Sequence, residues 1–339
     1  MTDLAGFLSV AQAAVDVAAE LVRAQPAGTL TPKGDRDYAS DVDYAVERHV
    51  REFLAERTPG IAFVGEEENG TATNEADWWT LDPIDGTVNF AHGLPLCGVS
   101  LAFIRDRRPV VGVVDLPLLG ARYWATDGEG AHGPGGRLRV RDVERLGDAV
   151  LAIGDYAVGV GAEDRNRVRL RFTELVAGQA LRVRMFGSAA VDLAWLAEGK
   201  VDASVTLSNR SWDVAAGVVL AREAGARVVD QDGSEHTTDS AATIAASPGM
   251  CDELLAILRA ADELTRWQQY PGEVSFVCST AVSPAGSVPA FWQRACVRGM
   301  CPLIPLLRRS IASRVSVAWR SLHRLRTRRR TSHRAMGMA

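Results

Sequence analysis

The sequence predicts a layered protein, an α+β half followed by an α/β half, and three observations carry that prediction. Two amphipathic stretches with helical spacing open the chain. A β-rich run broken by short turns follows them, and past about residue 146 strands and helices alternate. At 339 residues the chain can bury two ordinary cores. The expected division is an α+β domain over 1–145, an α/β domain over 146–265 and a C-terminal extension over 266–339, with the first boundary near 140–148.

The elements follow in order. Residues 4–24 place Leu4, Leu8, Ala11, Val15, Ala18 and Val22 at helical spacing, and residues 41–57 form a second amphipathic helix; both should cover a sheet. "IAFVGEEE" reads as a short strand running into acids, and "WWTLDPIDGT" as another strand. Segments 97–105, 110–115 and 121–126 are β-rich and separated by "DRRP" and "PLLG", the punctuation of an antiparallel meander. "GEGAHGPGG" reads as a flexible turn, because no helix follows it as a phosphate loop would require. Strands at "AVLAIG", "LRVRMFG", "VDASVTL", "ARVVD" and "ATIAAS" then alternate with helices at 163–178, 189–199, 213–224 and 250–264.

The net charge of −4 hides a division: from Arg266 onward there are 13 Arg, no Lys and one acid, so the body carries −16 and the tail +12. An acidic body argues against nucleic-acid binding and suits a site that collects cations. The tail reads as a basic, disordered extension, although its Arg and apolar residues also suit an amphipathic helix on an anionic membrane or on RNA. Asp3 and the lack of a basic residue before the first apolar run predict no secretory leader. No uninterrupted apolar run approaches the roughly 18 to 20 residues of a membrane span. Five cysteines without a CxxC pattern make a reduced, cytoplasmic setting the expectation.

Chemistry concentrates in "WWTLDPIDGTVNF". Pro83 biases Asp82 towards extended backbone and Gly86 permits a tight turn, so the stretch is a corner from strand to helix. Backbone N–H groups near Gly86 and Thr87 would point out of the new helix as an anion site. Capping is the commonest role of Asp at such corners, yet two more acids stand in similar places: Glu66 after the preceding strand and Asp213 at a helix start. Carboxylates beside an anion site call for a cation between them, and hard oxygen donors point to Mg²⁺. Other chemistries fit less well. "DVDYA" opens a helix, unlike the DxDx(T/V) of an aspartyl nucleophile, and Ser100 in "GVSLA" reads as a satisfied strand residue. His49, His92, His132 and His236 lack zinc spacing, and Trp78, Trp79, Trp195 and Trp212 read as packing.

Together, "GEE", "WWTLDPIDGTVNF" and "SWDVAAGVVLAREAGA" resemble the three signatures of the inositol monophosphatase family, and the agreement runs from the first helix to about residue 265. "KGDRDYASDVD" resembles its upstream element, with Lys33, Asp37, Ser40 and Asp43 in place, and "GSAAVDLAWLAEGKVDA" its substrate-side helix. The resemblance implies an αβαβα sandwich of the sugar phosphatase type, a homodimer, and a Mg²⁺-dependent phosphomonoester hydrolase. Glu66, Asp82 and the Ile84 carbonyl would hold one Mg²⁺, and Asp82, Asp85 and Asp213 a second, with a third, weaker ion near Glu66. Glu66 and Thr87 would orient the attacking water for an in-line displacement without a covalent phosphoenzyme. Asp37 and Asp43 would support Thr87 and the metal's water. Asp85, Gly86, Thr87, Gly187, Ser188, Ala189 and Asp213 would face the substrate.

Val88-Asn89-Phe90 after the DGT triplet leans towards a small polyol, sugar or amino-alcohol monophosphate. Inositol 1-phosphate and histidinol phosphate both remain open. Thr206 stands where inositol phosphatases commonly place a glutamate against a ring hydroxyl. From another class, a non-catalytic binding or regulatory protein would keep the fold; the full set of matched metal ligands counts against it.

Overall fold

The computed structural model describes residues 4–25, 27–68 and 75–269, and the described residues up to Thr265 form one compact unit. Helix α1 (Leu4–Ala24) leads into a hairpin of β1 (Leu30–Gly34) and β2 (Asp37–Ser40), then α2 (Asp41–Arg57). Strands β3 (Ala62–Gly65) and β4 (Asp77–Asp85), the short α3 (Thr87–Ala91), and β5 (Gly98–Arg105), β6 (Arg108–Leu116), β7 (Ala121–Thr126), β8 (Gly130–Gly133) and β9 (Gly136–Arg137) follow. The remainder is β10 (Val150–Ile153), α4 (Ala162–Ala177), β11 (Arg182–Arg184), α5 (Ala189–Ala197), β12 (Ala203–Thr206), α6 (Ser211–Glu223), β13 (Arg227–Val229), β14 (Thr243–Ala246) and α7 (Cys251–Gln269).

These elements stack in five layers, αβαβα, as expected. One face of the first sheet, ordered β3-β4-β5-β6-β7-β8-β9, buries Trp79, Leu81, Leu101 and Val113 against α1 and α2. Phe7 of α1 stacks on Phe103 with centroids 4.2 Å apart and meets Trp79 edge-on. The opposite face packs Trp78, Ile104, Val114 and Tyr123 on the small residues of α5 and α6, among them Ala190, Ala194, Ala215 and Ala216. The same two helices turn Leu193, Leu196, Val214 and Val218 to the second sheet, ordered β11-β10-β12-β14-β13. Its far face is covered by α4 and α7. The change from first to second sheet falls between Arg137 and Val150, and the shared α5–α6 layer lies between the sheets.

Alanines and glycines make the central layer thin. A Cβ on Gly112 of β6 would stand 2.5 Å from the Ala216 carbonyl oxygen, and one on Gly217 would stand 2.5 Å from Leu193 Cβ. Helix α6 therefore lies directly on the first sheet.

Three local expectations change. "GEGAHGPGG" is an ordered hairpin, β8 and β9, that closes the edge of the first sheet; paired backbone hydrogen bonds prevail over its glycine content. The β1–β2 hairpin carries no alternation, its first strand being exposed throughout, and periodicity does not reveal it. Helix α7 runs to Gln269, past the expected end. Helix α1 is long and apolar enough to cross a membrane by length and composition, yet Ala11, Ala14, Val15, Ala18 and Val22 are buried in the core. The expectations for the rest of the basic tail, with Cys278, Cys296 and Cys301, lie outside the described residues; Cys97 and Cys251 are free and buried.

Candidate active site

Strand β4 brings the two aspartates of its corner to one place by an irregularity. In a regular strand, residues three apart point to opposite faces. Here Asp82 pairs with Ser100 and Asp85 with Gly98, so β4 spends one residue more than β5 across that step. Pro83, which has no N–H to offer a ladder, sits inside this bulge. Gly86 then turns the chain with φ of +91°, and a side chain there would meet the carbonyl oxygens of Leu96 and Gly187 at 3.0 and 3.2 Å.

Glu66 is delivered by a separate device. Buried Glu47 of α2 accepts hydrogen bonds from the N–H groups of Glu67 (2.7 Å) and Glu68 (3.0 Å), bending the chain after β3. Glycine at 65 leaves room for this carboxylate, since a Cβ there would lie 2.3 Å from the Glu47 carboxyl carbon and displace it. Asp213 arrives from the first turn of α6. Buried Ser100, opposite Asp82, donates to the Trp212 carbonyl at 3.0 Å, and the Thr80 and Ser211 hydroxyls lie 3.4 Å apart. Asn209 donates to the carbonyls of Thr237, Thr238 and Ser240, so the segment before α6 is tied down as well.

The result is a group of three carboxylates, Glu66, Asp82 and Asp213, each offering an oxygen within 4.8 Å of the others. Burial pushes the Asp82 and Asp213 carboxyls well above the usual range, and the neighbouring carboxylates push them further. Three convergent, mutually repelling oxygen donors fit a hard divalent cation. Asp85 stands beside this group: Ser188 Oγ and the Ala190 N–H, each at 2.6 Å, both bond its Oδ2. Burial raises its pKa to about 7 against those two bonds.

Thr87 Oγ1 lies 3.3 Å from Asp43 Oδ1 and 3.1 Å from the Ile84 carbonyl, so its single hydrogen serves one acceptor or the other. Asp43 is itself held by the N–H and hydroxyl of Ser40 in a capping box that starts α2. Burial lifts its pKa to about 6. Asp37 stands elsewhere, on the cleft wall 3.9 Å from Lys33 Nζ; the contact with Thr87 comes from Asp43. On the far side, Gly187 (φ of +74°) lies against Asn89, Ser188 caps α5 and Ala189 begins it. Asn89 bonds the Leu96 and Phe186 carbonyls, 2.7 Å each, stitching α3 to that segment.

A cleft of about 370 Å³ opens over the site, lined by Lys33, Asp37, Glu66, Arg210 and Trp212. Lys33 Nζ bonds Glu66 Oε1 at 2.6 Å and Glu67 Oε1 at 2.9 Å. Sequence reading passes over Arg210 and Glu47, and it assigns Trp212 to packing alone. An Arg three residues before a helix-start Asp was a usable signal; Glu47 looked like any solvent-facing acid of a helix. Thr206 ends β12, buried against Gly154, and is not among the residues that line the cleft.

Residues 3–263 match the profile of the inositol monophosphatase family. The inositol-1-monophosphatase ImpA of Mycolicibacterium smegmatis is 35% identical over 233 residues, covering 69% of this chain and 84% of that protein. A fructose-1,6-bisphosphatase/inositol-1-monophosphatase of Thermotoga maritima is 32% identical, covering 66% and 84%. Among solved structures, the Thermotoga maritima IMPase superposes with a TM-score of 0.68 at 28% identity over 76% of this chain and 97% of that one. Mycobacterium tuberculosis SuhB gives 0.63 at 33% identity over 77% and 98%. With a carboxylate group spanning sheet and helix, and a fold and sequence shared with these proteins over residues 3–263, the chain belongs to the inositol monophosphatase family of Mg²⁺-dependent phosphomonoesterases.

Proposed function

We propose that the protein hydrolyses small polyol, sugar or amino-alcohol monophosphates of the inositol 1-phosphate kind. The observation that carries this reading is the convergence of Glu66, Asp82 and Asp213 beneath an open cleft, with the Thr87 hydroxyl held nearby by Asp43. Glu66 and Asp82 would hold one Mg²⁺, and Asp82, Asp85 through its Oδ1, and Asp213 a second. Bound there, Mg²⁺ supplies Lewis-acid stabilisation of phosphoryl charge and lowers the pKa of a water molecule.

The protein's own residues do the rest. When the Thr87 hydroxyl donates to Asp43, the Ile84 carbonyl is released and the Thr87 oxygen accepts a hydrogen bond from the attacking water, which Glu66 aligns from the other side; as the water's proton moves to Thr87 Oγ1, the hydroxyl proton passes to the Asp43 carboxylate. The N–H groups of Gly86 and Thr87 receive the phosphate. Gly187, Ser188 and Ala189 face the leaving alcohol, at a distance set by the Asp85–Ser188 bond.

Thr206 is buried in β12, so it supplies no charged contact to a ring hydroxyl. One such bond is worth roughly tenfold to a hundredfold in discrimination. The test is a panel of phosphomonoesters, including inositol 1-phosphate and histidinol phosphate, assayed at one Mg²⁺ concentration. Measurable hydrolysis of inositol 1-phosphate is expected, with several other members within about tenfold in kcat/KM. A hundredfold preference for any single member would overturn the broad reading, and absence of Mg²⁺-dependent phosphate release would overturn the activity itself.

A further inference from the structure

We propose that Arg210 is a substrate-binding residue, the side chain that grips the phosphoryl group from the α6 wall of the cleft. The inference rests on the phosphatase reading and adds to it a cation that the sequence motifs do not assign.

The cleft is lined by two cationic side chains, Lys33 and Arg210, together with Asp37, Glu66 and Trp212. Lys33 is committed, bonded to both Glu66 and Glu67. Arg210 is exposed, and no hydrogen bond or ion pair to the described residues engages its guanidinium, although Asp37 and Glu66 line the same space. Its guanidinium carbon lies 6.0 Å from the centroid of the Trp212 ring.

At the outer edge of cation–π range, the indole draws the guanidinium towards this wall of the cleft without occupying its planar N–H fork. An oxyanion fits that fork, because planar N–H pairs match two phosphate oxygens. Any phosphate reaching Glu66, Asp82 and Asp213 must enter the space these walls enclose. Backbone N–H groups and the cation held by the carboxylates leave phosphoryl oxygens on the open side, and among the described residues lining the cleft Arg210 is the uncommitted cationic donor there. The position also tolerates substitution: Arg210 occupies the cap position of α6 but makes no side-chain cap bond, so changing it leaves the helix start intact.

The experiment compares the full-length protein with its R210Q and R210K variants at saturating Mg²⁺. Steady-state kinetics on inositol 1-phosphate and on a phosphomonoester of a small uncharged alcohol are combined with calorimetric titration of inorganic phosphate into the Mg²⁺-loaded proteins. R210Q is expected to weaken phosphate binding and to lower kcat/KM for both substrates alike by about 10- to 100-fold, the worth of one charge-assisted bond. R210K should recover part of the loss, since it keeps the charge and lacks the fork. The Mg²⁺ midpoint should stay within about twofold of the original. Unchanged phosphate affinity in R210Q would overturn the proposal, and so would a shift in Mg²⁺ midpoint as large as the kinetic loss. A wild-type protein that releases no phosphate would defeat the phosphatase reading instead, while the calorimetric comparison would still decide whether Arg210 binds phosphate.

Discussion

The two walls of the cleft bring carboxylates to the same group by different means. Glu66 follows the edge strand β3, and its carboxylate is matched by Lys33 from a hairpin whose first strand is exposed along its length. Asp213 sits on a helix seated on a sheet, with Ser100, Thr80 and Asn209 fixing the helix start through uncharged hydrogen bonds. One wall is held by charge, which a divalent cation competes for; the other is held by contacts that form with or without an ion. The α6 wall is therefore held by neutral hydrogen bonds and the Glu66 wall by the ammonium of Lys33.

The largest effect should come from removing ligand charge on either side. Asp82→Asn and Asp213→Asn each keep side-chain volume and should lower kcat/KM roughly a thousandfold, with melting temperature preserved or raised because a repelling buried charge is gone. Near-normal turnover in either variant would break the assignment of both walls to one metal group.

Next in size, substitutions on the two walls should act with opposite sign. Lys33→Met removes the ammonium that competes at Glu66 and should tighten Mg²⁺, measured by calorimetry without substrate. Ser100→Ala removes one bond at the α6 start and should weaken Mg²⁺ by roughly three- to tenfold. Equal shifts in the same direction would mean that the walls are not held differently.

The smallest effect is a slope. Asp43 is raised to about 6, Glu67 and Asp85 to about 7, and Asp82, Asp192 and Asp213 are also raised, burial being the first cause in each. Their unfolded values lie near 4. Between about pH 7 and pH 4 the folded metal-free protein therefore binds protons that the unfolded chain does not, and its stability rises as pH falls. His236 opposes this: burial lowers it to about 4 against an unfolded value near 6.5, so acid favours its unfolded form. Six carboxylates against one imidazole should leave the melting temperature of the chelator-treated protein higher by a few degrees at pH 5.5 than at pH 7.5. Saturating Mg²⁺, which favours ionised ligands, should flatten or reverse that slope. Matching slopes in both conditions would place the raised carboxylates outside the metal's reach.

Much of the site was legible because its chemistry is local. The proline and glycine of "DPIDGT" announce a corner, and their acids can serve only what lies at that corner. Asp213 was legible as an acid at a helix start. Lys33 was visible as part of a motif, but its pairing with Glu66 was not, since the hairpin that carries it has no alternating pattern. Glu47 and Arg210 were missed for a common reason: a charged residue beside a helix start or on a helix face looks exposed until a partner element is placed against it.

By itself, then, the sequence determined the order of the main strands and helices, though not the β1–β2 and β8–β9 hairpins, together with the corner at Asp82–Thr87 and the candidate acids of the site. These follow from periodicity, turn stereochemistry and side-chain type, all of which act over a few residues. The tertiary structure alone decided that Asp213 stands beside Asp82, 131 positions earlier in the chain, that Asp43 supports Thr87 while Asp37 faces Lys33, and that Arg210 faces the cleft. Those relations depend on how closely α6 lies on the first sheet, which small residues at Gly112, Ala216 and Gly217 permit. Contact between distant segments is set by the packing of whole layers, a property that no short stretch of the chain contains.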